Sequence, residues 1–452
     1  MQWKKIRRGT NGEHMNKYEL VCGMEIHAEL KTLSKMFCGC KNDPFNAPNP
    51  NMYTCPVCLG LPGALPVANK KAIEWTVKLG LALGCKINLY SKFDRKHYFY
   101  PDLPKGYQIS QYDLPFCYDG AIETSAGAVR IRRIHLEEDT GKLLHKTVNG
   151  EKLSLIDFNR SSVPLIEIVT EPDITSSEQA AEYAKKLRTI LRSLDISDCD
   201  MEQGGMRLEA NISLRPVGSD QLPSYKVELK NINSFRYLSS GIEFEIERQT
   251  KLLDAKQTIA QETRGYNADK RATFVQRSKE DAEDYRYFPD PDLPPIRFSE
   301  EQIEQWRNEL PLLPDAKIKD WEAKYGVEER FVTQYVQNRE SIEILDALFS
   351  QATDPKSMAG DLANKKIAFP KSINDIAQTL QQFAMLHSTI SVDDHALSDA
   401  ITSVLSDNPD VKARYQSGQQ QLMGFVMGQV MRKLGKADPD QVRSAIEKAL
   451  SS

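Results

Sequence analysis

The chain has 452 residues, 40% hydrophobic, 27% charged and 8% aromatic, the make-up of a globular protein with room for two or three domains. Its net charge of -4 gives no overall pull toward nucleic acid, so any RNA contact has to be a local patch. No apolar run approaches the ~20 residues that span a bilayer. The basic start lacks the apolar stretch of a signal peptide, and the expectation is a cytoplasmic protein.

Residues 1–14 read as the product of an upstream start codon or as a disordered leader ahead of Met15. A strand follows in Val21-Cys-Gly-Met-Glu-Ile-His-Ala-Glu-Leu30. Side chains two apart on a strand share a face, so Glu25, His27 and Glu29 stand together, opposite Ile26, Ala28 and Leu30. Two readings stand: a solvated polar face, or carboxylate and imidazole gathered for a cation or substrate. Next come two cysteine pairs, Cys38-Gly-Cys40 and Cys55-Pro-Val-Cys58. Two short pairs joined by a polar Pro- and Asn-rich loop close a tetrahedral four-sulfur site, so Cys38, Cys40, Cys55 and Cys58 are candidate ligands of a structural zinc ion. Four unrelated thiols in a reducing cytosol are the plainer alternative, and disulfides the weaker rival, with nothing secreted about the chain. Four protein ligands leave no position for water, so the chemistry has to lie elsewhere.

The spacing predicts helices over Asn69–Leu83 and Ser177–Leu194, the second capped by Ser176 or Ser177. Alternation predicts strands at Val129–Ile134, Pro164–Val169, Ala210–Leu214 and Tyr225–Leu229. Mixed strands and helices without βαβ alternation point to an α+β domain on a largely antiparallel sheet. His135-Leu-Glu-Glu-Asp-Thr-Gly141 holds three consecutive acids, either a solvated loop or a hard-cation site. Glu167 and Glu228 each interrupt an apolar strand; such an acid usually just points outward, but several of them in one domain suit one face holding Mg-ATP. No GxxxxGK[ST] or GxGxxG motif is present, so ATP would need another architecture. Lys92-Phe-Asp-Arg-Lys-His-Tyr-Phe-Tyr100 and Tyr285-Arg-Tyr-Phe-Pro289 interleave cations with aromatics. Lys92, Arg95, Tyr98 and Arg286 are candidate nucleotide contacts, with packing in a core as the plainer alternative.

The proline cluster Pro289-Asp-Pro-Asp-Leu-Pro-Pro295 marks a boundary. Helical pattern follows from Ser299, with a break near Phe369-Pro370. Ala396–Leu450 reads as a small helical module with turns at 406–409 and 437–439. The expected organisation is a leader at 1–14, an α+β domain at 15–296 carrying the cysteine loop, a helical domain at 297–395 and a terminal helical module at 396–452.

Taken in order, Gly23-Met-Glu-Ile-His-Ala-Glu-Leu-Lys31, Lys92-Phe-Asp-Arg-Lys96, Tyr107-Gln-Ile-Ser-Gln111, Leu136-Glu-Glu-Asp139, Pro164-Leu-Ile-Glu-Ile-Val169, Glu228-Leu-Lys-Asn231, Gln261-Glu-Thr-Arg264 and Asp284-Tyr-Arg-Tyr-Phe-Pro289 resemble the B subunits of aspartyl/glutamyl-tRNA amidotransferases, the GatB family. The likeness spans about 270 residues. Met423-Gly-Phe-Val-Met-Gly-Gln-Val-Met431 resembles the family's terminal RNA-binding module, and the cysteines resemble its zinc-bearing branch. Residues 350–395 depart from the family's pattern.

The resemblance implies a cradle-shaped first domain that uses ATP and Mg2+ to phosphorylate the side-chain carboxylate of misacylated Glu-tRNA(Gln) or Asp-tRNA(Asn). Ammonia from a glutaminase A subunit then displaces the phosphate, and a small C subunit completes a heterotrimer. It further implies that Glu25, His27, Glu138, Glu167 and Glu228 form the Mg2+ and phosphoryl-transfer face. Glu209 receives no role. A zinc-stapled tRNA-binding scaffold without catalysis is the alternative, and a free-standing carboxylate–amine ligase a third. This chain carries no glutaminase signature, which favours ammonia from a partner.

Overall fold

The computed structural model describes residues 17–278, 285–388, 392–435 and 437–451. The expected leader at 1–14 and Asp284 of the aromatic motif lie outside the described residues. The chain forms two compact units, one running to residue 320 and including 333–342, the other comprising 321–332 and the residues from 343 onward. The proline cluster lies within the first.

The strands of the first unit are β1 (Tyr18–Glu29), β2 (Lys86–Ile87), β3 (Tyr90–Ser91), β4 (Asp94–His97), β5 (Tyr107–Ser110), β6 (Cys117–Thr124), β7 (Gly127–Glu138), β8 (Lys142–Val148), β9 (Glu151–Asp157), β10 (Pro164–Thr170), β11 (Met206–Pro216), β12 (Val227–Ile232), β13 (Glu262–Asn267), β14 (Ala272–Ser278), β15 (Phe288–Pro289) and β16 (Ile296–Arg297). Nine of them make one sheet, in the order β14-β13-β12-β11-β1-β10-β7-β6-β2. Among the described residues, only the β12–β13 pair of this sheet is parallel. The fold is therefore the expected α+β on a mostly antiparallel sheet.

Period-two patterning decides which way each strand faces. Cys22, Met24, Ile26 and Ala28 of β1, Ile134 and Leu136 of β7, Ile166 and Ile168 of β10, and Leu208, Ala210 and Ile212 of β11 are all buried in one core. Helices α1 (Lys70–Ala82), α2 (Ser177–Ser193) and α3 (Phe235–Asp254) contribute Val77, Leu79, Tyr183, Leu187, Leu238 and Ile242 to it. Both predicted helices are present. Asn69 caps α1 by accepting from the amides of Lys71 and Ala72, and Ser176 caps α2 by accepting from Gln179. The approach of α1 to β6 is close enough that a Cβ on Gly80 would sit 2.3 Å from Cys117 Sγ. Helices thus cover one face of the sheet, and the residues between the core positions project from the other.

In the second unit, Trp321 is fully buried, meets Phe349 edge-on at 5.4 Å and donates to Asp346 Oδ1 at 2.7 Å. The last stretch is helical as expected. Helices Asp394–Asp407, Val411–Gln416, Leu422–Leu434 and Pro439–Ser451 share a core of Leu397, Ile401, Val404, Val426, Val430, Val442, Ile446 and Leu450. No helix among the described residues is long and apolar enough to cross a membrane.

Candidate functional site

The polar face of the sheet is organised by strand register. Arg207 of β11 stands opposite His27 of β1, His27 opposite Glu167 of β10, and Glu167 opposite His135 of β7. This row alternates cation, imidazole, carboxylate and imidazole across four strands. Glu167 Oε2 lies 3.4 Å from His27 Nε2 and 3.0 Å from His135 Nε2. Glu137, two residues beyond His135 on the same face, is 3.7 Å from each histidine. Burial alone would neutralise these groups. Instead, though burial pulls His135 down, the carboxylates of Glu167 and Glu137 outweigh it and raise its pKa to about 9. His27 is raised in the same sense, burial again being outweighed, chiefly by Glu167. Burial raises Glu167, but His135 and His27 more than reverse this and hold it well below the ordinary carboxylate range. Such a pattern is mutual charge stabilisation in a low-dielectric setting, where removing one member leaves the others exposed to the full desolvation penalty.

A second group adjoins it. Glu25 stands opposite Glu209, and Asn211 opposite Glu228. Carboxylate oxygens of Glu25, Glu209 and Glu228 all lie within 4.8 Å of one another, as do donor atoms of His27, Glu137 and Glu167. Asn211 Nδ2 donates to Glu25 Oε1 at 2.8 Å, while the buried Asn211 Oδ1 has no hydrogen-bond partner among the described residues. Thr263 donates to Glu228 Oε2 at 2.9 Å, and Lys230 Nζ reaches Glu209 at 3.1 Å and Glu228 at 3.4 Å. This oxygen-rich donor set, with one imidazole and no thiolate, fits a hard divalent cation such as Mg2+.

Beside His27, Arg207 donates to Asp139 at 2.8 Å and Arg160 stands 3.7 Å from it. Burial would raise Asp139, but these arginines lower it to about 2. Glu29 is pushed the opposite way, well above the carboxylate range, first by burial and then by Asp139.

The structure thus brings together Glu25, His27, Glu167 and Glu228 from the sequence-based set, and it leaves Glu138 apart. In β7 the alternation sends His135 and Glu137 to the polar face, and Leu136 and Glu138 to the other side. There Glu138 is buried, pairs with Lys105 and accepts from the Ile109 amide at 3.0 Å. The acid that β7 gives to the polar face is Glu137. Sequence reasoning also passed over Glu209, His135 and Lys230. The signal was present in Arg207, Glu209 and Asn211 alternating with Leu208, Ala210 and Ile212.

Of the basic and aromatic candidates, Lys92 pairs with Asp94 and, at 2.6 Å, with Asp113. Arg95 binds Asp290 at 2.7 Å and Asp292 at 2.9 Å, and lies over the Tyr107 ring at 4.3 Å. Tyr98 donates to Gln108 at 3.4 Å, and the Arg286 carbonyl meets His97 Nδ1 at 3.2 Å. Around them His97 stacks on Phe288 at 5.0 Å and Tyr112 on Tyr287 at 4.3 Å. From this segment it is Lys96, over the Tyr285 ring at 4.9 Å, whose charge is felt by Glu137. Burial pulls the Lys96 ammonium down, but Glu137 and Glu167 outweigh it and raise its pKa.

The four cysteines form a separate site. The sulfurs of Cys38, Cys40, Cys55 and Cys58 lie within 4.8 Å of one another, a donor set that can hold a metal such as zinc. Cys58 is fully buried, and its thiol is lowered to about 5, chiefly by a hydrogen bond with Cys38 and further by the Lys35 ammonium. Lys35, itself fully buried, donates to the carbonyls of Tyr53 at 2.7 Å and Phe158 at 3.2 Å, with Cys58 Sγ at 3.8 Å.

Known proteins match both parts of the chain. Residues 20–304 match the family described as the GatB/GatE catalytic domain, and residues 349–450 match the family described as the GatB domain. The second match takes in 350–395, the stretch that reads from the sequence alone as a departure from the pattern. The B subunit of the aspartyl/glutamyl-tRNA(Asn/Gln) amidotransferase of Thermodesulfovibrio yellowstonii is 44% identical over 96% of this chain and 99% of the relative. The proteins of the same description in Caldanaerobacter subterraneus subsp. tengcongensis and Thermomicrobium roseum are 42% and 43% identical, over 96% of this chain and 100% and 99% of their own lengths.

Proposed function

This chain belongs to the GatB family, and from that premise we propose that it is the ATP-using subunit of a glutamine-dependent tRNA amidotransferase, a ligase that forms a carbon–nitrogen bond. A side-chain carboxylate oxygen of Glu-tRNA(Gln) or Asp-tRNA(Asn) attacks the γ-phosphorus of ATP. The bond to the β,γ-bridging oxygen breaks, giving ADP and an acyl phosphate. Ammonia released from glutamine by an A subunit attacks the acyl carbon, and orthophosphate leaves as the amide forms. A C subunit completes a cytoplasmic heterotrimer.

The single observation that carries this reading is the convergence of Glu25, Glu209 and Glu228 beside His27, Glu137 and Glu167 on one sheet face. Two anions have to meet for a carboxylate to attack ATP. Bound Mg2+ offsets their repulsion and polarises the transferring phosphoryl group. The chain's own residues supply the rest. Glu25, Glu209 and Glu228 offer one oxygen set, and Glu137 and Glu167 with His27 offer the other. His135 and Arg207 bracket the row, His135 holding Glu167 and Glu137 ionised and Arg207 doing the same for Asp139. Lys96 adds a cation on the Glu137 side. Glu138 acts at a distance, fixing Lys105 and the β5 backbone. Tyr98 and Arg286, with the stacked rings near them, are the candidate contacts for the nucleotide. Lys92 and Arg95, each held by two aspartates, brace that edge. The four-cysteine site binds zinc and orders the loop from 41 to 54.

The test is trapping. The assembled complex, charged tRNA and ATP are combined with hydroxylamine and without glutamine. An acyl phosphate yields the side-chain hydroxamate on the tRNA, and Glu167→Gln abolishes it. Hydroxamate formed without ATP, or none formed while amidation proceeds, overturns the kinase reading.

A further inference from the structure

Lys230 stands among the very carboxylates that form the second cation site. A β-bulge puts it there. Between the pairs Leu208–Ile232 and Ala210–Leu229, β11 contributes one residue, Glu209, and β12 contributes two, Lys230 and Asn231. Bulges re-aim side chains in this way, and this one sets the Lys230 ammonium 3.1 Å from Glu209 and 3.4 Å from Glu228. The carboxylates are the less exposed partners, at 15% and 8% against 37% for Lys230. The ammonium therefore reaches into the group from its open side.

We propose that Lys230 is an internal competitor for the divalent cation: its ammonium occupies the carboxylates of Glu209 and Glu228, and yields them when an ion enters with the nucleotide. The inference rests on the cation-site reading above. Its logic is charge. Glu25, Glu209 and Glu228 carry three negative charges, of which one lysine offsets only one. A divalent ion offsets more, but it has to displace contacts already made. Lysine suits this role because its charge sits on a long, flexible stem with no planar fork to lock it. Once displaced, the ammonium stays within its stem's reach of the site, where the anion that remains to be neutralised is phosphate. Metal affinity is thereby kept low until nucleotide arrives, which ties loading of the ion to loading of the substrate.

The test uses the full chain in its complex, without nucleotide, and Mn2+ as the probe, followed by its electron paramagnetic resonance. Lys230→Met is expected to bind Mn2+ about tenfold more tightly than the unaltered chain. Lys230→Arg, whose planar fork holds the two carboxylates more firmly, is expected to bind Mn2+ more weakly than the unaltered chain. A second arm needs no variant: acylation of Lys230 by an amine reagent, read by mass spectrometry, is expected to rise when Mn2+ is added. Equal or weaker binding by Lys230→Met, or labelling that falls or stays level with Mn2+, overturns the competition and makes Lys230 a brace for the carboxylates. Glu209→Gln separates the two levels of the argument. If it leaves both the number and the affinity of bound ions unchanged, the cation site itself is refuted, whatever Lys230 does.

Discussion

The cysteine loop and the acidic face of the sheet are both candidate cation sites, and they are built in opposite ways. The loop draws four identical donors from 21 consecutive residues, Cys38 to Cys58, and brings in one buried cation, Lys35, as a neighbour of Cys58. The face draws its donors from β1, β7, β10, β11 and β12, between Glu25 and Glu228, and mixes carboxylates, imidazoles, arginine and lysine. A site closed by its own ligands has no room for substrate. A site spread over a rigid sheet, with its charges offset by neighbours that can let go, has. The difference teaches where to look for chemistry: in the set whose charge balance is shared with movable groups.

That contrast can be broken first at the cysteines. Structural zinc contributes about 10 kcal/mol or more to folding of isolated zinc-binding peptides. Cys58→Ser is therefore expected to take bound zinc from one ion per chain to none, with a large fall in melting temperature, both measured on the same preparation. Retention of zinc would show that the four sulfurs are not the site. The acidic face is expected to fail differently. Glu137→Gln should cost about 3–5 kcal/mol of stability, as loss of one partner from a buried charge group does, with zinc retained, and should lower tRNA-dependent ADP formation by about 10²–10³-fold, the range for removing one preorganised group from a reacting centre.

The charge balance of the face gives a pH signature. His135 has a folded pKa of about 9 against an ordinary 6.5. Because the folded value is the higher one, its contribution to stability is fully present below about pH 6.5 and is lost as pH rises through 9. Asp139 has the opposite sign: lowered to about 2 from 3.8, it contributes above pH 3.8 and its contribution is lost as pH falls through 2. Denaturant titrations of metal-free chain between pH 6 and 9.5 should show stability declining by a few kcal/mol, a decline that His135→Gln flattens. The smallest expected effect returns to the cysteines. Lys35→Met removes the buried ammonium beside Cys58 and should weaken zinc binding by about 10–100-fold, the scale of outer-shell changes at metal sites, read by competition with a chelator.

The same contrast explains what was legible in the sequence. Caps, helices and strand alternation are local, so α1, α2 and the runs in β7, β10, β11 and β12 were readable from spacing, and so were the cysteine pairs. The acidic face depends on register between strands, β1 meeting partners more than a hundred residues away in β10 and β11, which no local pattern encodes. Glu25, His27, Glu167 and Glu228 were found because each is an anomaly on its own strand or belongs to a resemblance. Glu137 and Glu138 are adjacent acids, and only the pleat of β7, fixed by burial of Ile134 and Leu136, tells them apart. Glu209 was missed because a charged residue alternating with apolar ones looks like any solvated strand face. Lys230 was missed because a bulge, not alternation, sets it beside Glu209.

In the function proposed above, the polar face of the sheet, through Glu167 between His27 and His135, serves phosphoryl transfer to a tRNA-borne carboxylate. The most direct measurement is ADP formation by this chain assembled with the proposed A and C subunits, with and without Glu-tRNA(Gln), for the parent and for Glu167→Gln. The expected result is turnover that requires the charged tRNA and collapses in the variant while tRNA binding persists. A complex that binds the tRNA yet forms no ADP, or a variant that turns over like the parent, would contradict it.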